Sequence, residues 1–232
     1  CSFERDGAVE LNHGWTVYRD QLLEPASFAA RSCALGAAWS EVPAEEISPP
    51  DLWGPAFTTT VSSGHGKATY CIAVDLPDSG DFFALRMGTL RSVSAVYALY
   101  QSPGGREVVS LLYQNGDPAD HTVTEVHNPA PPLIPLPYGV KHTVIVAQVS
   151  NHIHKQGGMV EVPVLDLKPR LDSKQNRDTA LPSALVIVLL LVSIGTFVVG
   201  LRHQHATGHN LFALLTFTSA LRVLFVSDVV WD

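Results

Sequence analysis

Residues 68–76 read ATYCIAVDL, a run rich in the β-branched and aromatic side chains that suit a pleated, half-buried surface. Four further segments share that character: 82–87 (FFALRM), 93–100 (VSAVYALY), 107–113 (EVVSLLY) and 142–150 (HTVIVAQVS). Turn-forming clusters separate them, at Pro77 to Gly80, Pro103 to Gly105, Gln114 to Asp117 and Asn128 to Pro132. No helical run of twelve residues intervenes; a single helical turn is expected around Pro25 to Arg31. Strands at this spacing predict an all-β jelly roll or β-sandwich over residues 1–165.

A different chemistry begins at residue 181. Residues 181–201, LPSALVIVLLLVSIGTFVVGL, carry no charged side chain. At about 1.5 Å per residue this run spans a hydrocarbon core of roughly 30 Å. A second apolar run, 211–227, follows and carries Arg222. The expected layout is a β domain over 1–165, a polar linker over 166–181, transmembrane helices at 182–202 and 210–228, and a loop at 203–209 between them. Residues 229–232 begin a further part, so the chain reads as a truncated polytopic membrane protein. Cys1, with no charged and apolar leader before it, fits a removed signal peptide, a lipidated N-terminus or a sequence that starts partway along a longer chain.

Charge divides at the same boundary. Residues 1–181 hold 13 Lys/Arg against 20 Asp/Glu, a balance of −7, while 182–232 hold two of each. All of the net charge therefore lies on the polar part, which has no basic stripe and suits nucleic acid poorly. Cys33 and Cys71 are read as unpaired, buried small residues, because Cys71 alternates with apolar neighbours. A disulfide is the alternative if the domain lies in an oxidising compartment. Neither has a Cys-x-x-Cys neighbour, so zinc and redox chemistry lack support.

Gly14-Trp15, Leu22-Leu23-x-Pro25, Trp39-x-x-Val42-Pro43, Trp53, Gly64-x-Gly66-x-Ala68-Thr69-Tyr70 and Val149-Ser150-Asn151 with Gly157-Gly158 follow one another in order. This series resembles the extracytoplasmic jelly-roll module of bacterial receptors with seven transmembrane helices and diverse intracellular signalling modules. It is also similar to the sugar-binding, galactose-binding-like jelly rolls attached to glycoside hydrolases. The resemblance covers about residues 11–165, and the Leu211 to Arg222 pattern looks like the second membrane helix of the receptor family. It implies a sensory domain outside the inner membrane of a bacterial cell, binding a small ligand with carbohydrate favoured. It also implies a missing cytoplasmic output domain. A protein-contact or homodimerisation module is the alternative, and a membrane-tethered glycan hydrolase a third.

Trp15, Trp39 and Trp53 are read as core aromatics first and sugar platforms second, with Trp53, in a proline-rich loop, the best candidate for stacking on a ligand. Asn151, His152 and His154 complete the candidate ligand set. For Asn151 a turn-holding role comes first and ligand contact second. His152-x-His154 would share a strand face, with His121, His127 and His142 in sequence reach, but nothing fixes a convergence of three or four ligands, so no metal and no cofactor is expected. The glycines of these motifs are expected at turns or close backbone approaches, and Pro43 at an edge segment. No nucleophile elbow, Walker loop or dinucleotide fingerprint occurs, and Ser62, Ser63 and His65 are neighbours in sequence without being an oriented pair. No carboxylate pair stands out either, so the chain is not expected to be an enzyme.

Orientation carries a conflict. With the N-terminal domain outside, the 203–209 loop is cytoplasmic, and Arg202 beside it is the only basic residue there. The opposite flank, 166–181, has four, so a positive-inside count favours the reverse. The family resemblance requires N-outside, and that orientation is adopted. Arg222 is expected to couple to other helices or to snorkel toward an interface.

Overall fold

The computed structural model describes residues 7–28, 32–35, 42–53, 64–77, 80–118, 133–202 and 207–226, and every structural statement below concerns these. The chain divides into two compact units, 1–171 and 172–232.

The first unit is built of thirteen short strands: β1 (Val9–Glu10), β2 (Trp15–Arg19), β3 (Glu45–Ile47), β4 (Asp51–Leu52), β5 (Gly66–Asp75), β6 (Phe83–Arg86), β7 (Leu90–Arg91), β8 (Val93–Gln101), β9 (Glu107–Asn115), β10 (Ile134–Pro135), β11 (His142–Asn151), β12 (Gly158–Met159) and β13 (Val164–Leu167). The five segments expected from sequence correspond to β5, β6, β8, β9 and β11, with ends displaced by no more than two residues. The helical turn is a 3-10 turn at Pro25–Ser27; residues 29–31, Trp39, Cys1, His121, His127 and the Asn128 to Pro132 cluster lie outside the described residues.

Every strand pairing is antiparallel. A six-stranded sheet runs β3-β2-β5-β11-β8-β9, a four-stranded one β1-β13-β6-β10 and a small one β4-β12-β7. The core lies between the two larger sheets, in the manner of a sandwich. Trp15 and Val17 of β2, Ala68, Tyr70, Ile72 and Val74 of β5, and Ile145, Ala147 and Val149 of β11 meet Phe83, Leu85, Ile134 and Leu165. The residues alternate because side chains leave a strand on opposite faces with period two. Pro43 precedes β3, an edge strand, as its missing N–H requires.

The other face of the six-stranded sheet is also buried. Tyr18, Cys71, Val144, Val146 and Leu99 pack there against Leu23 and Phe28, with Cys33 and Leu35 alongside. The covering segment is pinned by polar bonds: the Leu23 amide donates to Thr69 Oγ1 at 2.9 Å, Gln148 Nε2 to the Leu23 carbonyl at 2.8 Å, and Tyr18 Oη to the Cys33 carbonyl at 2.5 Å. Cys33 and Cys71 form a disulfide, with Cα atoms 5.7 Å apart. This corrects the expectation of unpaired thiols. The alternation that marks Cys71 as buried is real, but it places Cys71 on the outer face, where Leu23, Phe28, Cys33 and Leu35 lie.

The stretch 166–181 is regular in structure. Asp166 and Leu167 end β13, and helix α1 (Lys168–Arg202) starts at the next residue. Its polar first turns contain Lys, Arg, Asp, Gln and Ala and no glycine, a composition with ample helix propensity. They are mostly exposed, so they are helix without being core. Pro169 sits in the first turn, where its missing N–H is harmless. Leu171 is 3% exposed, in a small cluster with Ala84 and Val164. One helix among the described residues, Lys168–Leu201, is long and apolar enough to cross a membrane.

In the second unit, the later turns of α1 pair with α2 (Thr207–Val226). Val186, Ser193 and Gly200 are buried at intervals of seven residues, as are Ala213 and Ala220. Such spacing lays small side chains along one helix seam and lets the backbones approach. Ser193 Oγ donates to the Ala213 carbonyl at 2.8 Å across that seam.

Candidate functional site

Trp53 is 1% exposed and belongs to the core, which corrects its reading as a sugar platform. Its surroundings explain why. A Cβ on Gly158 (φ +95°) would come within 2.7 Å of the Trp53 ring, and one on Gly157 would strike the same ring while lying 2.9 Å from the Asn151 Cβ. The two glycines let the backbone lie against the indole, as close approach demands.

The indole N–H opens a chain of polar contacts that runs from the core to the surface. Trp53 Nε1 donates to Tyr70 Oη at 2.7 Å, and Tyr70 Oη donates to Asp51 Oδ2 at 3.0 Å. Arg19 reaches both carboxylate oxygens of Asp51 at 3.4 Å and donates from Nε to Glu45 at 2.6 Å. Strands β2, β3, β4 and β5 place these residues side by side. Sequence reasoning missed the network, because the register Thr16–Cys71 and Val17–Glu45 brings β2, β3 and β5 together while Asp51 arrives on β4, a strand of another sheet.

Burial drives the Tyr70 phenol well above its ordinary value, and the neighbouring Asp51 charge adds to the effect. The hydrogen bond from Arg19 holds the Glu45 carboxyl low. An unfolded chain releases the Tyr70 proton near pH 10 while the folded chain keeps it, so the folded state then binds more protons. The stability contribution is complete below about pH 10 and falls as pH rises through the folded value. Thermal midpoints of the wild type should therefore decline above about pH 10. Tyr70→Phe should start lower, since the buried indole N–H loses its acceptor at a cost of about 1–3 kcal/mol. Its decline with pH should also be shallower. Equal alkaline slopes in the two proteins would refute the assignment.

Asn151 is fully buried and holds a turn. Its Nδ2 donates to the carbonyls of Gly64 and His154 at 2.9 and 2.8 Å, and its Oδ1 accepts from the His154 amide at 3.0 Å. Ser92 Oγ also donates to Oδ1 at 3.4 Å, so the Asn151 side chain is engaged in tying the loop together. His152 and His154 are half-buried on the same loop, and Ile153 between them is exposed. His142 pairs with Asp75 at the far end of β11. Nine residue steps at about 3.3 Å put it about 30 Å from Asn151, so the histidines do not converge. Among the described residues no group of three metal-ligating side chains comes together. Arg222 is exposed on α2.

No family model matches the chain, and no curated protein matches it. Among solved structures, residues of the chain superpose on parts of three glycoside hydrolases. A β-glucuronidase 2 of Bacteroides uniformis, present as a calcium-binding mutant, is 14% identical with a TM-score of 0.44, covering 68% of this chain and 17% of that one. A glycosyl hydrolase family 2 member of Bacteroides cellulosilyticus is 10% identical at 0.46, covering 69% and 20%. A β-glucuronidase of Ruminococcus gnavus is 14% identical at 0.41, covering 69% and 28%. The chain thus spans less than a third of each of these proteins. At such scores and identities they decide neither family nor activity.

Proposed function

We propose that the chain is the sensory and membrane-entry part of a bacterial transmembrane receptor, with a jelly-roll domain outside the inner membrane that binds a small ligand, carbohydrate being the favoured class. One juxtaposition carries the reading. A β unit bearing a disulfide ends in a strand that passes, without an intervening residue, into a helix whose apolar side chains are exposed. Disulfides persist in oxidising compartments. Leu185, Ile187, Leu191, Ile194 and Phe197 of α1 are between 49% and 65% exposed, as are Leu211, Leu214 and Leu215 of α2. A continuous surface of that kind is unfavourable in water and suited to lipid.

The disulfide supplies a ground for N-outside that is independent of family resemblance, and it weighs against the positive-inside count. The output domain, on this reading, belongs to a part of the receptor outside this chain. A protein-contact module is the second reading, favoured by Val109 and Leu111, which stand 45% and 50% exposed on the edge strand β9.

Proteolysis of membrane vesicles holding the full chain tests the first reading. Protease should remove the β unit when added from the periplasmic side and spare it from the cytoplasmic side. The reverse pattern, or release of the chain by alkaline carbonate, overturns it.

A further inference from the structure

We propose that a saccharide unit seats against Tyr138, whose ring stacks on Phe82, in a cleft at the end of the β unit where α1 begins. This rests on the carbohydrate-sensing reading above and gives it a location that the Asn151–His154 loop does not. Phe82 and Tyr138 are 58% and 61% exposed, and they are the exposed aromatic side chains among the described residues of the β unit. They stack on one another, with ring centroids 4.7 Å apart and planes at 29°. Beside them lies a cleft of about 180 Å³ lined by Leu76, Pro77, Asp81, Tyr138 and Lys141. A neighbouring cleft of about 280 Å³ shares Gly139, Val140 and Lys141 and adds Gln101, Ser102 and His142.

The chemistry selects the occupant. A sugar ring has an apolar C–H face and a rim of hydroxyls. An exposed aromatic ring accepts the first at little entropic cost. A carboxylate accepts from the hydroxyls and an ammonium donates to them. Each cleft is smaller than the pockets of about 300–1,000 Å³ that take drug-sized ligands, which restricts the seat to a terminal sugar unit. The walls are preorganised: the Leu76 amide donates to the Lys141 carbonyl at 2.7 Å, and the Leu136 amide to the Phe83 carbonyl at 3.0 Å.

The seat also touches the root of α1. The Phe82 carbonyl accepts the Lys168 amide at 2.8 Å, one of the N–H groups that a helix cannot satisfy internally. One turn on, Leu171 is held in its cluster with Ala84 and Val164. A sugar held on Tyr138, whose ring stacks on Phe82, therefore steadies the segment in which α1 begins.

The test uses the full chain in detergent micelles on an array of immobilised neutral, amino and uronic-acid saccharides, compared with Tyr138→Ala, Phe82→Ala and Tyr138→Trp. The wild type should bind at least one saccharide. The two alanine variants should bind it about tenfold or more weakly with unchanged thermal midpoints, and Tyr138→Trp should retain binding. Exchange of the Lys168 amide should slow on binding. Wild-type binding that survives both alanine changes overturns the cleft while leaving the sensing reading intact. No binding by the wild type overturns both. Binding lost in the variants with Lys168 exchange unaffected in the wild type overturns the link to α1.

Discussion

Trp53→Ala is expected to destabilise the β unit by about 3–5 kcal/mol, the range for truncating a buried tryptophan. The indole fills the space against Gly157 and Gly158, and neither glycine has a side chain with which to refill it. The change also removes the donor to Tyr70 and leaves the Tyr70–Asp51–Arg19 chain without its buried end. Thermal unfolding of the full chain in micelles should show a midpoint lowered on the order of 10 °C for a unit of this size. Trp53→Phe keeps most of the apolar contact and loses only the hydrogen bond, so its cost should be clearly smaller. An exposed ligand platform would behave oppositely: alanine there changes stability by less than about 0.5 kcal/mol. A midpoint unchanged in Trp53→Ala would therefore return Trp53 to the ligand side.

That experiment also locates where sequence reasoning stops. The strands β5, β6, β8, β9 and β11 were legible because alternation and turn clusters are local signals. The short strands β1, β4, β7, β10 and β12 are two residues each, too short for any period to show; β1 and β10 pair with the longer β13 and β6, while β4, β12 and β7 pair only with one another. Trp53 is buried, as its core reading expects; the platform alternative rested on the proline-rich sequence around it, and nothing local signals that Gly157 and Gly158, about a hundred residues later, admit the indole. The helical nature of 168–180 was obscured by its polarity, which describes its solvent and not its backbone. For Asn151 a turn-holding role was the first expectation: two of its bonds go to His154, three positions on, which a local reading can anticipate, while those with Gly64 and Ser92 depend on the fold. Phe82 and Tyr138 lie 56 residues apart and carry no shared motif, so only the fold brings their rings together.

Reducing the Cys33–Cys71 disulfide is expected to cost the β unit about 4 kcal/mol at 25 °C. The two cysteines are separated by 38 positions, and the chain-entropy relation for closing a loop of that length gives about 4 kcal/mol of lost constraint on the unfolded state. Local packing adds to the expectation, because Cys71 is fully buried between Tyr18, Val144 and Val146, and the covering segment reaches the sheet through Cys33. Thermal midpoints measured with and without a thiol reductant should therefore separate on the order of 10 °C. The Cys33→Ala/Cys71→Ala protein should begin near the reduced value and show no response to reductant, although it retains Cys1. A wild type indifferent to reductant would remove the disulfide. It would remove with it the chemical ground for placing the β unit in an oxidising compartment, leaving orientation to the positive-inside count, which points the other way. The same measurement thus bears on the fold and on the side of the membrane from which this chain would receive its ligand.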